Sequence, residues 1–225
     1  MHLSFDDGLR CCREEIAPLL LEEGVPATFF VNPAFIGNRE LFYRYKAGII
    51  LQRQPRLRKE LLAMTHRNVG ELDRLLEETG TDLSAWLDEE RPFMDEEDLQ
   101  WLAGKGFTVG SHSLDHPDFR LLDELERKNQ VTASLEWLHR QCPQPLRVFS
   151  FPFTDANLPA SFIRWLGTVC DLSFGSAGLK TDIIRTHLQR LAMDEPGSSS
   201  AKHIIKSRYF IFAIASIVGK KKISR

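Results

Sequence analysis

The sequence predicts an α/β fold built on a parallel sheet or barrel. Short apolar strands alternate with helical stretches along most of the chain, the order that β-α-β units produce. One strand candidate, Ala27-Thr28-Phe29-Phe30-Val31, is a continuous run without polar alternation, as a strand buried on both faces should be. The chemically distinctive residues, Asp6-Asp7 and His112/His116, each follow a strand candidate. In parallel sheets and barrels the ligand site lies beyond the carboxyl ends of the strands, so these residues fall at one end of the sheet.

The elements are justified in chain order. His2 to Phe5 reads as a short first strand. Leu9 to Glu23 reads as a helix with Cys12, Ile16, Leu19 and Leu20 on one face and Gly24 closing it. Pro18 lies inside that helix and should bend or shorten it, because proline lacks the N–H and clashes with the preceding turn. After the Ala27–Val31 strand, Asp95 to Lys105 has the marks of a capped helix, with Asp95 as N-cap and Gly106 past its end. Phe107-Thr108-Val109 is the next strand and runs into Gly110-Ser111-His112. A long helix comes next, about Leu121 to Arg140, with Leu125, Leu135 and Leu138 inward. Arg147 to Phe151 is a strand, and a helix begins near Pro159, which suits a first helical position. Thr168 to Phe174 and Leu188 to Met193 read as the last two strands.

Composition narrows the class. The chain has 225 residues, enough for one large α/β domain with a core of its own. Its 43% apolar and 27% charged content is that of an ordinary globular protein. A net charge of −2 argues against nucleic-acid binding by the molecule as a whole. Cys11, Cys12, Cys142 and Cys170 form no CxxC pair, and the expectation is reduced, mostly buried thiols. Only Met1 to Leu3 precede the first motif, so no signal peptide is read and the expected location is cytoplasmic, unless the N-terminus is truncated. No apolar run reaches the roughly 20 residues that span a bilayer.

Two motifs carry chemistry. Ser4-Phe5-Asp6-Asp7-Gly8 sets adjacent carboxylates at the end of the first strand, and His112-Ser113-Leu114-Asp115-His116 comes after a later one. Two carboxylates and two imidazoles are the ingredients of a metal-dependent hydrolase, with one carboxylate and both histidines on the ion and the spare carboxylate handling protons. His112 and His116 are four apart, so one helical turn would bring both imidazoles to one side, and Pro117 should stop the turn there. A plainer reading is available for each motif alone. Asp-Asp-Gly is a common turn, and His116 before proline could be a surface residue. His2, His66, His139 and His203 have no supporting pattern and read as structural or surface residues.

Taken together, the motifs resemble those of the polysaccharide deacetylases, the NodB-homology or carbohydrate esterase family 4 group. Ser-Phe-Asp-Asp-Gly is similar to that family's first motif and His-Ser-Leu-Asp-His to its second, in the right order and each after a strand. The Pro-Ala-Thr-Phe-Phe-Val segment and Phe151-Pro152-Phe153 also match, and the resemblance covers most of residues 1–195. It implies a distorted parallel (β/α)7-type barrel. It implies Asp7, His112 and His116 as ligands of one divalent ion, zinc first, with cobalt or nickel as alternatives, and Asp6 as general base. It also implies an oxyanion held by the metal and the Phe153 backbone N–H, beside Pro152.

Three departures stand out. The family's third motif carries an arginine two residues before its proline, orienting the catalytic aspartate. Here that position is Ser150, so Asp6 must be held another way, for example by a backbone group. The family's last motif supplies a histidine acid near the end of a strand. His187 is the only candidate for that acid, but it precedes the predicted strand, which makes a surface histidine the leading reading. Asp155 is a further candidate for the site, with turn capping as its simpler role. Finally, Met1 lies so close to the first strand that elements preceding it in many relatives are expected to be missing, unless the N-terminus is truncated.

Two regions fall outside this reading. Residues 38–94 form a helical-looking insertion after the second strand. Arg39 to Arg67 holds eight Lys/Arg against two Asp/Glu, whereas Asn68 to Asp98 holds twelve Asp/Glu against two Lys/Arg. Such blocks are solvated faces that can pair with each other, and a lid over the substrate groove is the sharper reading. Residues 196–225 form a basic helix and tail. No acidic residue comes after Glu195, and the apolar run Tyr209 to Val218 precedes Lys220-Lys221-Lys222. A helix packed on the barrel is the leading expectation; peripheral contact with anionic lipid is the alternative. The overall expectation is a hydrolase removing N- or O-acetyl groups from an acetylated sugar, polymeric or a biosynthetic precursor. A degenerate member that binds metal and carbohydrate without turnover is the alternative. A metal-dependent phosphatase ranks third, because Asp6-Asp7 lacks the Asp-x-Asp spacing.

Overall fold

The computed structural model describes residues 2–193, 200–217 and 222–223. Six strands form one all-parallel sheet in the order β1-β2-β3-β4-β5-β6, with helices in every connection but the last. The strands are β1 Leu3–Phe5, β2 Ala27–Val31, β3 Thr108–Ser111, β4 Val148–Ser150, β5 Leu172–Gly175 and β6 His187–Gln189. Sequential neighbours pair throughout, for example Phe5 with Phe29, Phe30 with Gly110 and Ser150 with Phe174. The sheet curls into an open barrel with six strands among the described residues, where the resemblance implied seven.

Strand β2 shows why a fully apolar run was needed. Ala27, Phe29 and Val31 join the main helix-side core with Ala17, Leu20, Leu99, Leu102, Val109 and Leu138. Alternation along the strand turns Phe30 to the other, inner face, where it meets Phe174 at 5.5 Å. Gly110 lies opposite Phe30, and a Cβ there would stand 2.6 Å from the Phe30 ring and from the Val148 side chain. We expect Gly110→Ala to cost about 1–3 kcal/mol through overpacking. That lowers the melting temperature by roughly 2–12 °C for a chain of this size. A melt indistinguishable from wild type would show that the inner face has room.

The helices are α1 Ala17–Glu22, α2 Tyr43–Arg53, α3 Arg58–Ala63, α4 Val69–Glu78, α5 Leu83–Glu90, α6 Glu96–Gly104, α7 Glu124–Gln141, α8 Ala160–Leu166 and α9 Ala201–Ile217. Residues Cys12–Ile16 before α1 form a π-helical turn. The wide turn accommodates Pro18, whose ring and missing N–H would break a regular α-helical ladder here. It also rotates α1 about its axis. Ala17 and Leu20 are buried but Leu19 is 55% exposed, against the regular-helix expectation. Helix α6 opens on a capping box between Asp95 and Asp98, and α7 on another between Asp123 and Glu126. In α7 the inward stripe is Val131, Leu135 and Leu138, whereas Leu125, in its first turn, is exposed.

Helices α2 to α5 lie between β2 and β3 and have their own core, including Ile50, Leu61, Leu72, Leu76 and Leu87. Phe35, Leu41, Phe42 and Phe93 join this core. The opposed charge blocks do meet. Lys46, with its side chain buried, reaches Asp73 at 2.5 Å and Glu40 at 2.8 Å, and Arg39 pairs with Glu96. All four cysteines are free, with Cys11 exposed and the others buried. Burial pushes the Cys12 and Cys170 thiols up to about 12.

Candidate active site at the carboxyl ends of the strands

Asp6 and Asp7 leave the end of β1, and His112 leaves the end of β3. The backbone at this end is held in unusual conformations. Asp7, Ser113, His116 and Phe153 all have positive φ, between 57° and 72°. Left-handed non-glycine residues cost free energy and persist where the surroundings dictate them, which makes such a cluster a mark of function. The expected helical turn between the two histidines is not there. Residues 112–118 are a loop, in which left-handed Ser113 and His116 bring the imidazoles to 4.9 Å between ring centroids. The Ser113 hydroxyl accepts the His116 N–H at 3.1 Å. Asn32, fully buried just after β2, donates its side-chain amide to the His112 carbonyl.

Asp7, His112 and His116 converge. Asp7 Oδ1 lies 3.2 Å from His116 Nε2 and 3.5 Å from His112 Nε2. The same Oδ1 is buried and makes no hydrogen bond. A buried carboxylate oxygen without a partner is costly. Separations of this size are what ligands of one ion would have, each about 2 Å from it. The donor set and the orphaned oxygen therefore fit a divalent cation. His112 is prepared for that role, since its Nδ1–H donates to the Ser150 carbonyl at 2.9 Å and leaves Nε2 free to ligate.

Asp6 is held by Arg190, just past the end of β6, and not by a backbone group. Arg190 binds both carboxylate oxygens, at 2.7 and 2.8 Å, and also donates to the Ser4 and Ser150 hydroxyls at 3.0 and 2.5 Å. Its guanidinium lies over the Phe30 ring and bridges the two edges of the open barrel. Burial pushes the Asp6 carboxyl up, but the two imidazoles and the Arg190 pair outweigh it and hold the group below its ordinary value. Burial also pushes the His112 imidazole down. For Asp7 too, burial pushes the carboxyl up, but the adjacent His116 and His112 imidazoles outweigh it and hold it below the ordinary value. The sequence contains one signal for Arg190, a lone cation in the short, otherwise uncharged run Leu188-Gln189-Arg190-Leu191.

The other two candidates are elsewhere. His187 opens β6 rather than preceding a strand, and it is buried rather than at the surface. Alternation along β6 turns Arg190 to the inner face and therefore His187 to the outer one. There its Nε2 meets Asp155 at 3.0 Å and its Nδ1 the Ser173 hydroxyl at 2.7 Å. Asp155 is likewise buried. It accepts from the Ser176 N–H and the Gln189 amide, and stands over Gly175, where a Cβ would lie 2.4 Å from its carboxyl carbon. Asp155 thus fastens β5 to β6 and is not a simple turn cap.

The wall around the metal cluster is aromatic. Phe42, at the start of α2, meets the His116 ring at 4.2 Å, and Phe153, after Pro152, meets it at 4.8 Å. Arg44 lies over Phe153 at 4.6 Å. Tyr45 is partly exposed, and burial together with the nearby Asp7 charge pushes its hydroxyl up. The first turn of α2 therefore forms one side of the site.

The model of the polysaccharide deacetylase family matches residues 1–162, some seven-tenths of the chain, and contains every residue of the Asp7/His112/His116 cluster. The chain belongs to the polysaccharide deacetylase family. Three solved structures share the fold of this polysaccharide deacetylase at low sequence identity. The Streptococcus pyogenes deacetylase PplD in complex with acetate superposes with a TM-score of 0.57 and 11% identity, over 91% of this chain and 68% of that one. IcaB from Ammonifex degensii gives 0.55 and 16%, over 91% and 71%. A polysaccharide deacetylase from Bacillus cereus gives 0.54 and 10%, over 91% and 50%. No curated protein matches the sequence.

Proposed function

We propose that this polysaccharide deacetylase is a metal-dependent hydrolase that removes N- or O-acetyl groups from an acetylated sugar or glycan. The observation that carries the reading is the pairing of a three-residue ligand cluster with an adjacent carboxylate that belongs to a different network. Asp7, His112 and His116 would hold one divalent ion, zinc first. That ion, when bound, lowers the pKa of water and polarises the acetyl carbonyl.

The chain's own groups do the rest. Asp6, one residue from a ligand but fastened to Arg190, takes the proton from the attacking water as general base. Arg190 keeps that carboxylate ionised and fixes its plane. The Phe153 N–H, on a left-handed backbone beside the His116 ring, would serve as the oxyanion donor. Phe153 and Tyr45, backed by the buried Phe42, offer an apolar wall on which a sugar ring can stack. His187 faces away, so protonation of the leaving group falls to Asp6, which carries the proton it has just accepted.

The test is acetate release from a panel of acetylated glycans, with and without a chelator. We expect release that the chelator abolishes, and about one divalent ion per chain by elemental analysis. His112→Ala and His116→Ala should each remove most of that ion. Full metal content in the double variant would end this reading. Glycan binding with no acetate release under zinc, cobalt or nickel would instead establish the degenerate binding member.

A further inference from the structure

The C-terminal helix α9 does not pack as a barrel helix should. Among its described residues only Ile204 is buried. Ile205, Phe212 and Ala215 on the same side are partly covered, so this side faces the body. The opposite side carries Phe210, Ile214 and Ile217, at 68%, 49% and 85% exposure, and these recur at i, i+4 and i+7 as one stripe. Tyr209 and Ile211 flank it, also exposed. The outer face of a helix docked on a soluble body is expected to be polar, and here it is the reverse.

The charges carried by α9 itself, on Lys202, Lys206 and Arg208, have one sign. Lys202 and Lys206, eight and four residues before Phe210, continue the same outer face and are exposed. Exposed Lys222 lies past the helix end, beside Thr181 in a β-bridge, and Ile183 near that bridge is 54% exposed. After Glu195 the sequence has seven Lys/Arg and no Asp/Glu. A second copy docking through this face would set cations against cations. An anionic, apolar-cored surface would satisfy both the stripe and its flanks. No described helix is long and apolar enough to cross a membrane, which leaves the interfacial mode.

We infer that α9 is a lipid-docking element that seats the protein on an anionic membrane surface, with Phe210, Ile214 and Ile217 entering the acyl boundary and the lysines meeting headgroups. This goes beyond the deacetylase reading and does not depend on it. The experiment is co-sedimentation of the full chain with vesicles of phosphatidylcholine, alone or with about 30% phosphatidylglycerol. Binding is expected only to the anionic vesicles. It should weaken at least about tenfold in roughly 0.5 M salt, where the lysine attraction is screened. Phe210→Ser/Ile214→Ser/Ile217→Ser should reduce binding at least about tenfold as well. Its melting temperature should be unchanged, because these side chains are already exposed. Lys202→Glu/Lys206→Glu should remove the preference for anionic lipid. Failure of the wild type to bind phosphatidylglycerol vesicles, or undiminished binding by the triple serine variant, would overturn the inference. So would a wild-type dimer that the triple variant dissolves, with no vesicle binding, which would assign the stripe to a second copy.

Discussion

Replacing Asp6 by asparagine should lower deacetylation by about a hundredfold or more, the usual scale for a general base, and leave the bound metal in place. Asparagine keeps the size and can still accept a hydrogen bond from Arg190, but it cannot take a proton. The metal should stay because Asp6 is not one of the three converging ligands. Its carboxylate is occupied by Arg190 through both oxygens, and its approach to His112 Nε2 is the longer one, 3.6 Å. Asp7→Asn should behave oppositely. It removes a ligand charge, so metal content falls and activity returns in part when the ion is supplied in excess. Elemental analysis alongside steady-state rates separates the two. If Asp6→Asn is as active as wild type, the enzyme reading survives and the role given to Asp6 does not. If it also loses the metal, Asp6 is a ligand.

Much of this site is legible in the sequence because its parts are local. Asp6-Asp7 and His112 are placed by the ends of short apolar strands, and those strands announce themselves by composition. The illegible part depends on side-chain direction and on partners distant in the chain. Spacing alone makes the path from His112 to His116 a helical turn, yet the backbone adopts two left-handed residues there, pinned by Ser113 and Asn32. The apolar pattern puts His187 before the last strand, because a histidine at a strand start interrupts that pattern; one residue of displacement exchanges inner and outer faces. The buried Asp155–His187 pair is invisible in the sequence for a related reason, since 32 residues separate its members. Leu19 misleads because a π-turn shifts its helix, and α9 misleads because an apolar run in a sequence does not say whether its covering is protein.

Arg190 is the residue whose removal separates positioning from structure. In Arg190→Ala the Asp6 carboxyl stays buried but loses the guanidinium that offsets its burial. Its pKa should therefore rise. A general base must be deprotonated to act, so a raised pKa moves the acid limb of the pH–rate profile to higher pH. The carboxylate also loses the fork that fixes its plane, and kcat should fall by about tenfold to a hundredfold. Arg190→Lys should recover little, because a single ammonium cannot bridge two carboxylate oxygens and two hydroxyls at once. Arg190 also ties the open edges of the barrel, so some loss of melting temperature is expected, but an edge tie alone would leave the acid limb where it is. A second change makes the test sharper. The Ser150 hydroxyl lies 2.5 Å from the Arg190 guanidinium, and the family resemblance puts an arginine at the position of Ser150. In the space vacated by Arg190→Ala, the longer side chain of Ser150→Arg should reach Asp6 from β4, restoring part of kcat and returning the acid limb toward its wild-type position. Recovery of the limb with the melting temperature still lowered would show that Asp6 needs a guanidinium at its oxygens, whichever strand supplies it. No movement of the limb in Arg190→Ala would assign Arg190 to the barrel edges alone.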